Sequence, residues 1–385
     1  MGISRRGLLG ATLAAGISVP FGGVANAAVS SGPPRLRLPR PTGPLPVGTT
    51  RLHLVDRSRT HQGRPRELMA NIWYPAEGSR PGPVETWLDA EPMRLLLASA
   101  DFDRDAVLAP FTSGRLGAPV RRTPQGFPVV VYSHGAHDHR SETTIIAQEL
   151  VSHGFVVATV DHTFDAYTEF PDGRVLEPVE DPLMLPLDFA RDAGFVIDQL
   201  EVVARGGNPD VDGRPLPDGL GRAIDVRRIG MYGHSKGGTA TALLMAADRR
   251  VRAGLILDGP MESDPMPSTD LDRPVLLMSA FFNRADHPAV AAFWSHLRGW
   301  RLTIRADGAA HPSYTDYQTL YAQVAPIVGL SDEMLQGEIG TLDPGRAVRI
   351  QQAYPLAFFD QHLRGRHSRL LDGPSRAFPE VRFLP

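Results

Sequence analysis

Ile229-Gly-Met-Tyr-Gly-His-Ser-Lys-Gly-Gly-Thr-Ala-Thr241 is the stretch around which the rest of the chain is organised. An apolar run reaches Tyr232, a glycine-flanked serine follows, and small residues lead on through Leu243, Leu244 and Met245. Strand, sharp turn and helix therefore meet at Ser235, in the G-x-S-x-G pattern of a nucleophile elbow. A serine on so tight a turn has strained backbone angles. Gly233 and Gly237 withhold side chains that would strike the adjoining strand and helix. The hydroxyl then stands free, above a helix N-terminus that favours negative charge. The pattern alone decides little, because with 38 glycines in 385 residues it arises by chance in roughly one such chain in five. Its flanks and its downstream partners carry the reading.

The length permits a large core, as one big α/β domain or two smaller ones. An apolar fraction of 42% and a charged fraction of 22% are ordinary for a globule. A net charge of −3, with no basic patch, argues against nucleic acid or an anionic membrane as the main partner. There is no P-loop and no dinucleotide glycine fingerprint. The absence of cysteine excludes thiol catalysis, disulfides and thiolate metal sites.

The first 27 residues read as a leader. Ser4-Arg5-Arg6-Gly7-Leu8-Leu9 is a twin-arginine pattern, an apolar run extends to Val19, and Ala25-Asn26-Ala27 supplies a cleavage site. The run is too short, and too broken by Pro20 and Gly22-Gly23, for a span of ~20 residues. Export in the folded state would suit a protein that has no disulfides. Residues 28–48, rich in proline, read as a stiff, solvated linker, and 49–385 as the catalytic domain.

Within that domain, Arg51–Asp56 and Glu67–Tyr74 alternate as strands. Residues 86–111 place Trp87, Leu88, Met93 and Leu95–Leu97 at near-helical spacing, as a flap over the site or a helix packed on the surface. Phe127–Ser133, Phe155–Val160, Val251–Asp258, Pro274–Ala280 and Arg301–Ala306 are further strands, with helices expected over 141–153, 188–204, 289–299 and up to Leu363. The alternation predicts a mostly parallel sheet covered by helices on both faces. With the elbow, it predicts an α/β-hydrolase fold in a single domain. His134, Asp161, Ser235, Asp258 and His311 all fall just past expected strands, where an open α/β sheet builds its site.

A serine hydroxyl needs a base, and the base needs an acid to fix its tautomer. His311, in Gly308-Ala309-Ala310-His311-Pro312, lies in a loop able to return over Ser235. Two acids compete for the third place. Asp286 follows the strand that most often bears the acid in this fold, and Asp258 stops an otherwise apolar run, an expensive place for an unpaired carboxylate. Periodicity does not choose between them. The oxyanion calls for two backbone N–H donors, expected at Lys236, directly after the serine, and at Ala136, after Ser133-His134-Gly135. His134, His137, Asp138 and His139, with Asp161 and His162, also suggest a metal cluster, but H-x-x-H-D-H is offset from the spacing of binuclear hydrolases. No metal or other cofactor is expected.

These motifs carry a family likeness. The chain resembles the secreted and type-II intracellular platelet-activating-factor acetylhydrolases, above all their bacterial relatives. The likeness rests on Pro46-Val47-Gly48, Arg66-Glu67-Leu68 to Ile72-Trp73-Tyr74-Pro75, Tyr132-Ser133-His134-Gly135 and Gly233-His234-Ser235-x-Gly237-Gly238. It continues in Leu257-Asp258, Leu302–Arg305 and His311-Pro312-Ser313-Tyr314-Thr315-Asp316-Tyr317. The resemblance implies Asp258 as the acid, His311 as the base, and Ala136 and Lys236 as the oxyanion donors. Lys236 departs from the apolar or aromatic residue common at its position. The function so implied is a secreted serine esterase acting through an acyl-enzyme, on phospholipids with short or oxidised sn-2 chains. Its expected partners are a small lipid or ester substrate and, transiently, a lipid interface, with no nucleic acid and no obligate protein partner. A broad lipase or polyester hydrolase, and an inactive hydrolase-fold binding protein, are the competing readings.

Overall fold

The computed structural model describes residues 32–61, 63–78, 82–180, 183–264, 266 and 269–384. The expected leader lies outside the described residues, and the compact body of the protein begins at Pro33.

In chain order the elements are β1 (Val47–His61), β2 (Arg64–Pro75), β3 (Val84–Thr86), α1 (Ala90–Ser99), β4 (Phe111–Leu116), β5 (Phe127–Ser133), α2 (Thr144–Ser152) and β6 (Val156–Val160). A short hairpin, β7 (Thr168–Glu169) and β8 (Val175–Leu176), precedes α3 (Pro186–Ala204) and α4 (Leu220–Ala223). Then come β9 (Ile224–His234), α5 (Lys236–Ala247), β10 (Val251–Leu257), β11 (Val275–Ser279), α6 (Pro288–Ser295) and β12 (Arg301–Ala306). The chain closes with α7 (Tyr317–Val328), α8 (Asp332–Ile339), α9 (Pro344–Arg364) and β13 (Val381–Leu384).

Among the described residues, eleven strands form one sheet in the order β13-β12-β11-β10-β9-β5-β6-β2-β1-β4-β3. From β6 to β12 neighbours run parallel, and antiparallel β2 and β13 flank this centre. The central strands are almost entirely buried and mainly apolar, as they must be with helices on both faces. α3, α5 and α6 cover one face through Phe189, Val196, Leu200, Met245 and Phe293. On the other, α2 and α9 bury Ile146, Leu150, Ile350, Tyr354 and Phe358. After β6 the chain crosses to the far side of β5 to lay down β9. The strand order thus reverses at the β5/β9 junction, where an open sheet leaves a crevice at its carboxyl ends. Ser133 and His234 end those two strands. This is the expected α/β-hydrolase architecture.

One expectation changes, and one open choice is decided. The linker is not free in solvent: from Pro34 it is strapped along the body, pairing Leu36 with Leu108, Leu45 with Ser152, and Thr42 with the Glu149 carboxylate. Proline removes donors from such a strap but leaves its carbonyls and the intervening N–H groups to bond. Residues 86–111 hold a packed helix. α1 buries Met93 and Leu97 in a satellite core with Trp87, Leu36 and the α7 residues Tyr317, Leu320 and Val324.

Candidate active site

The elbow follows from its glycines. A methyl at Gly233 would lie 2.1 Å from the Gly237 carbonyl oxygen, and one at Gly237 would lie 2.1 Å from that of Ser133. Backbone cannot yield at such distances, so only glycine fits the approach of β9 to α5 and of α5 to β5. Between them Ser235 takes φ 51° and ψ −118°, outside the regions open to most residues. Its N–H is held by the Leu257 carbonyl (3.0 Å), while its own carbonyl receives Gly238 and Thr239 N–H at the start of α5.

Asp258 is the first residue past β10. Its carboxylate is 0% exposed, yet fully bonded. Oδ1 accepts Ala280 N–H (2.6 Å) and Phe282 N–H (2.8 Å); Oδ2 accepts Phe281 N–H (3.0 Å) and His311 Nδ1 (2.6 Å). Desolvating a carboxylate costs several kcal/mol, which these four donors offset. A carboxylate can only accept, so the imidazole carries its proton on Nδ1 and leaves the Nε2 lone pair open. His311 opens a short 3-10 turn, His311–Tyr314, after β12. Its side chain is 34% exposed, and its ring stands 4.6 Å from that of His234, the residue before Ser235.

His234 braces the same corner. Its Nε2 donates to the His311 carbonyl (3.1 Å), and its Nδ1 lies 2.6 Å from Glu142 Oε1. Burial opposes charge on both partners, but the pairing outweighs it, holding the Glu142 acid well below the usual carboxylate range and raising the His234 imidazole. The His311 imidazole is pushed below its ordinary value of 6.5, first by burial; Asp258 opposes the shift and the neighbouring His234 adds to it.

The loop after β5 completes the arrangement. Gly135 N–H donates to Glu142 Oε2 (2.8 Å), and the Gly135 carbonyl accepts His134 Nδ1 at 2.6 Å. His134 Nε2 in turn accepts the His162 N–H (3.0 Å), which fixes the His134 proton on Nδ1. The peptide units before and after Gly135 are thereby each held by a side chain. A methyl on Gly135 would sit 3.5 Å from Ser235 Cβ, so the loop lies against the serine. Neither Ala136 N–H nor Lys236 N–H has a hydrogen-bond acceptor among the described residues.

Asp286 stands apart. It is exposed and bonds within its own loop, to Asn283 through both its carboxylate (2.8 Å) and its N–H (3.1 Å). Of the residues considered for a metal, His134 has both ring nitrogens engaged by the Gly135 carbonyl and the His162 N–H. His162 spans Ser133 Oγ (2.8 Å) and Asp192 (3.0 Å), and Asp161 bonds Arg140. Ser133, His162 and Asp192 thus form a second serine–histidine–aspartate line. It is sealed in the core: all three side chains are fully buried, with Phe189 stacked 3.7 Å from the His162 ring.

The model of the family "Platelet-activating factor acetylhydrolase, isoform II" matches residues 31–170 and 217–369. The chain belongs to this family. A probable 1-alkyl-2-acetylglycerophosphocholine esterase of Arthroderma benhamiae is 29% identical over 399 residues, covering 94% of this chain and 97% of that protein. The platelet-activating factor acetylhydrolase of Bos taurus is 25% identical over 276 residues, 63% of this chain and 58% of its own length. Among solved structures, a ferulic acid esterase from Streptomyces cinnamoneus superposes with a TM-score of 0.74 at 34% identity, covering 90% of this chain and 98% of that one. These relatives make this member of the platelet-activating-factor acetylhydrolase family a carboxylic ester hydrolase.

Sequence reasoning passed over three residues of this acetylhydrolase-family site. Glu142 opens an expected helix, His234 is the variable position of the elbow pattern, and Asp165 lies in the long excursion after β6. No spacing rule flags them. Only the full burial of Glu142 and Asp165 in the fold reveals that each carboxylate must have a partner.

Proposed function

We propose that this chain is an exported serine esterase that works through an acyl-enzyme on Ser235. The observation that carries the reading is the His311–Asp258 contact of 2.6 Å beside a strained serine elbow. His311 Nε2 takes the Ser235 proton as Oγ attacks the ester carbonyl, and Asp258 stabilises the imidazolium that results. The oxyanion is received by the unengaged N–H groups of Ala136 and Lys236, above the N-terminus of α5. His311 returns the proton to the leaving alcohol, and water then reverses the sequence to release the acid. No cofactor takes part.

The substrate in this reading is a phospholipid with a short or oxidised sn-2 acyl chain, in keeping with the names of the Arthroderma benhamiae and Bos taurus relatives. Exposed Leu183 and Leu185, either side of the Met184 carbonyl that binds Lys236, and exposed Phe281, beside Asp258, suit transient contact with a lipid interface. The ferulic acid esterase neighbour favours a second reading, an ester of a bulky aromatic acid. Release rates across acetyl, butyryl, palmitoyl and feruloyl esters separate them. Acetyl should be fastest and palmitoyl slowest; a feruloyl ester outrunning acetyl would transfer the assignment to the second reading.

The pH profile follows from the His311 shift. The base works only when neutral, and its depressed pKa keeps it neutral further into acid. The midpoint of the acid limb of kcat/KM should therefore lie below pH 6.5, with activity rising to its plateau as the pH climbs past it. A His234→Gln change, which removes a neighbouring positive charge, should move that limb upward. A wild-type limb above pH 7 would contradict the assignment of His311 as base.

The leader supports export by the twin-arginine route. Replacing Arg5 and Arg6 with lysine should leave precursor in the cytoplasm. Undiminished secretion of that variant would instead indicate the general route.

A further inference from the structure

The acyl-enzyme chemistry uses Lys236 only through its backbone, which leaves its side chain to be explained. The ammonium does not extend into solvent. Nζ donates to Asp165 Oδ2 (2.5 Å) and to the Met184 carbonyl (3.0 Å), and it lies 5.1 Å from the centre of the Phe189 ring. Asp165 is fully shielded, and its other oxygen, Oδ1, accepts the backbone N–H of His137 at 2.5 Å. His137 directly follows Ala136, and Lys236 directly follows Ser235. One carboxylate therefore grips the chain immediately after each proposed oxyanion donor or its neighbouring nucleophile.

The carboxylate itself is anchored. Asp165 N–H donates to the His162 carbonyl (2.8 Å), and the next residue, Ala166, bridges to Asp138 in the oxyanion loop. The loop has need of such a grip. His137 holds φ 58°, a left-handed conformation that a non-glycine residue keeps only when its surroundings impose it. The Asp165–His137 bond is one of the contacts that imposes it. Across the site, the Asp165–Lys236 ion pair ties the first residue of α5 to the same carboxylate. Two donors on separate segments stabilise an oxyanion only if their spacing is set before the reaction.

We infer that Asp165 and Lys236 form a positioning clamp that fixes the separation of the Ala136 and Lys236 N–H groups. The inference rests on the reading of those two groups as the oxyanion hole. Asp165 touches no substrate and acts through the backbone on either side. The device needs both a lysine after the nucleophile and a shielded aspartate in the excursion after β6.

The test uses the full mature chain with Asp165→Asn, Lys236→Met and the pair combined. The double variant removes both charges together, so no lone charge is left buried to unfold the protein. Active sites are counted by fluorophosphonate titration, and rates are expressed per titrated serine. Each variant should lose roughly tenfold to a hundredfold in kcat, with KM for an acetyl ester changed less than about threefold. Affinity for a trifluoromethyl ketone, which becomes a tetrahedral oxyanion on Ser235, should fall by the same factor as kcat. The double variant should be no worse than the poorer single, because the pair acts as a unit.

A kcat per titrated site within threefold of wild type in all variants would overturn the clamp. So would a loss of kcat with unchanged affinity for the ketone, since a purely structural role lowers stability without selecting the oxyanion. Fluorophosphonate labelling that persists in Ser235→Ala would instead remove the underlying reading, and the clamp with it. Labelling that depends on Ser235 throughout confines any failure to the clamp.

Discussion

Replacing Ser235 with alanine is expected to lower kcat on the order of a million-fold. Ser133, the serine that ends β5, offers no substitute, being sealed in the core with its hydroxyl bonded to His162. The helix and oxyanion loop would survive the change, because Gly233 and Gly237, not the hydroxyl, allow the close backbone approach. Binding and the N–H donors would then supply the remaining rate over water. His311→Ala should cost about as much, and the double variant little more, because a nucleophile without its base and a base without its nucleophile are equally idle. Measured kcat values for the two singles and the double decide the matter. Losses that multiply would show that His311 does not serve Ser235.

The second large effect is at Asp258. Asp258→Asn should reduce kcat by about four orders of magnitude, about 5 kcal/mol of transition-state stabilisation. The hydrogen bonds say why. An amide offers one oxygen, and Ala280 and Phe282 N–H both point at the Oδ1 position. The amide NH2 is then turned toward His311 Nδ1, which must accept instead of donate. The imidazole proton shifts to Nε2, and the lone pair that should receive the Ser235 proton is gone. The fold should be retained, since asparagine keeps the oxygen that Ala280 and Phe282 N–H both reach and only the Phe281 N–H loses its acceptor. Asp286→Asn should change the rate by less than about tenfold, for that carboxylate is exposed and bonds Asn283 in its own loop. A normal rate for a folded Asp258→Asn enzyme, alongside an inactive Asp286→Asn, would reverse the assignment.

Much of this molecule is written locally. The continuous β-branched run of Phe127–Ser133 reads as a strand buried on both faces, and it is found with those bounds. Arg301–Ala306 is likewise found as read. The order of strands and helices, with Gly233 and Gly237 around Ser235, determines the elbow and the fold class, because periodicity and steric limits act over a few residues. Where such signals were weak the sequence was silent. β13 has only four residues and exists by pairing with β12, and β4 exists by pairing with β1 and β3. The proline-rich strap has no periodicity at all, and its place is set by partners as remote as Glu149 and Ser152.

The electrostatics of the site belong to tertiary structure. By spacing alone Asp258 and Asp286 were equivalent candidates, and the family likeness pointed to Asp258. What places the Asp258 carboxylate at His311, 53 residues away, is the parallel register of β10 with β11 and the turn that follows β12. The same holds for Glu142 with His234 and for Asp165 with Lys236, 71 residues apart. A buried charge must find its partner wherever the fold delivers one, and no local pattern in the chain records that meeting.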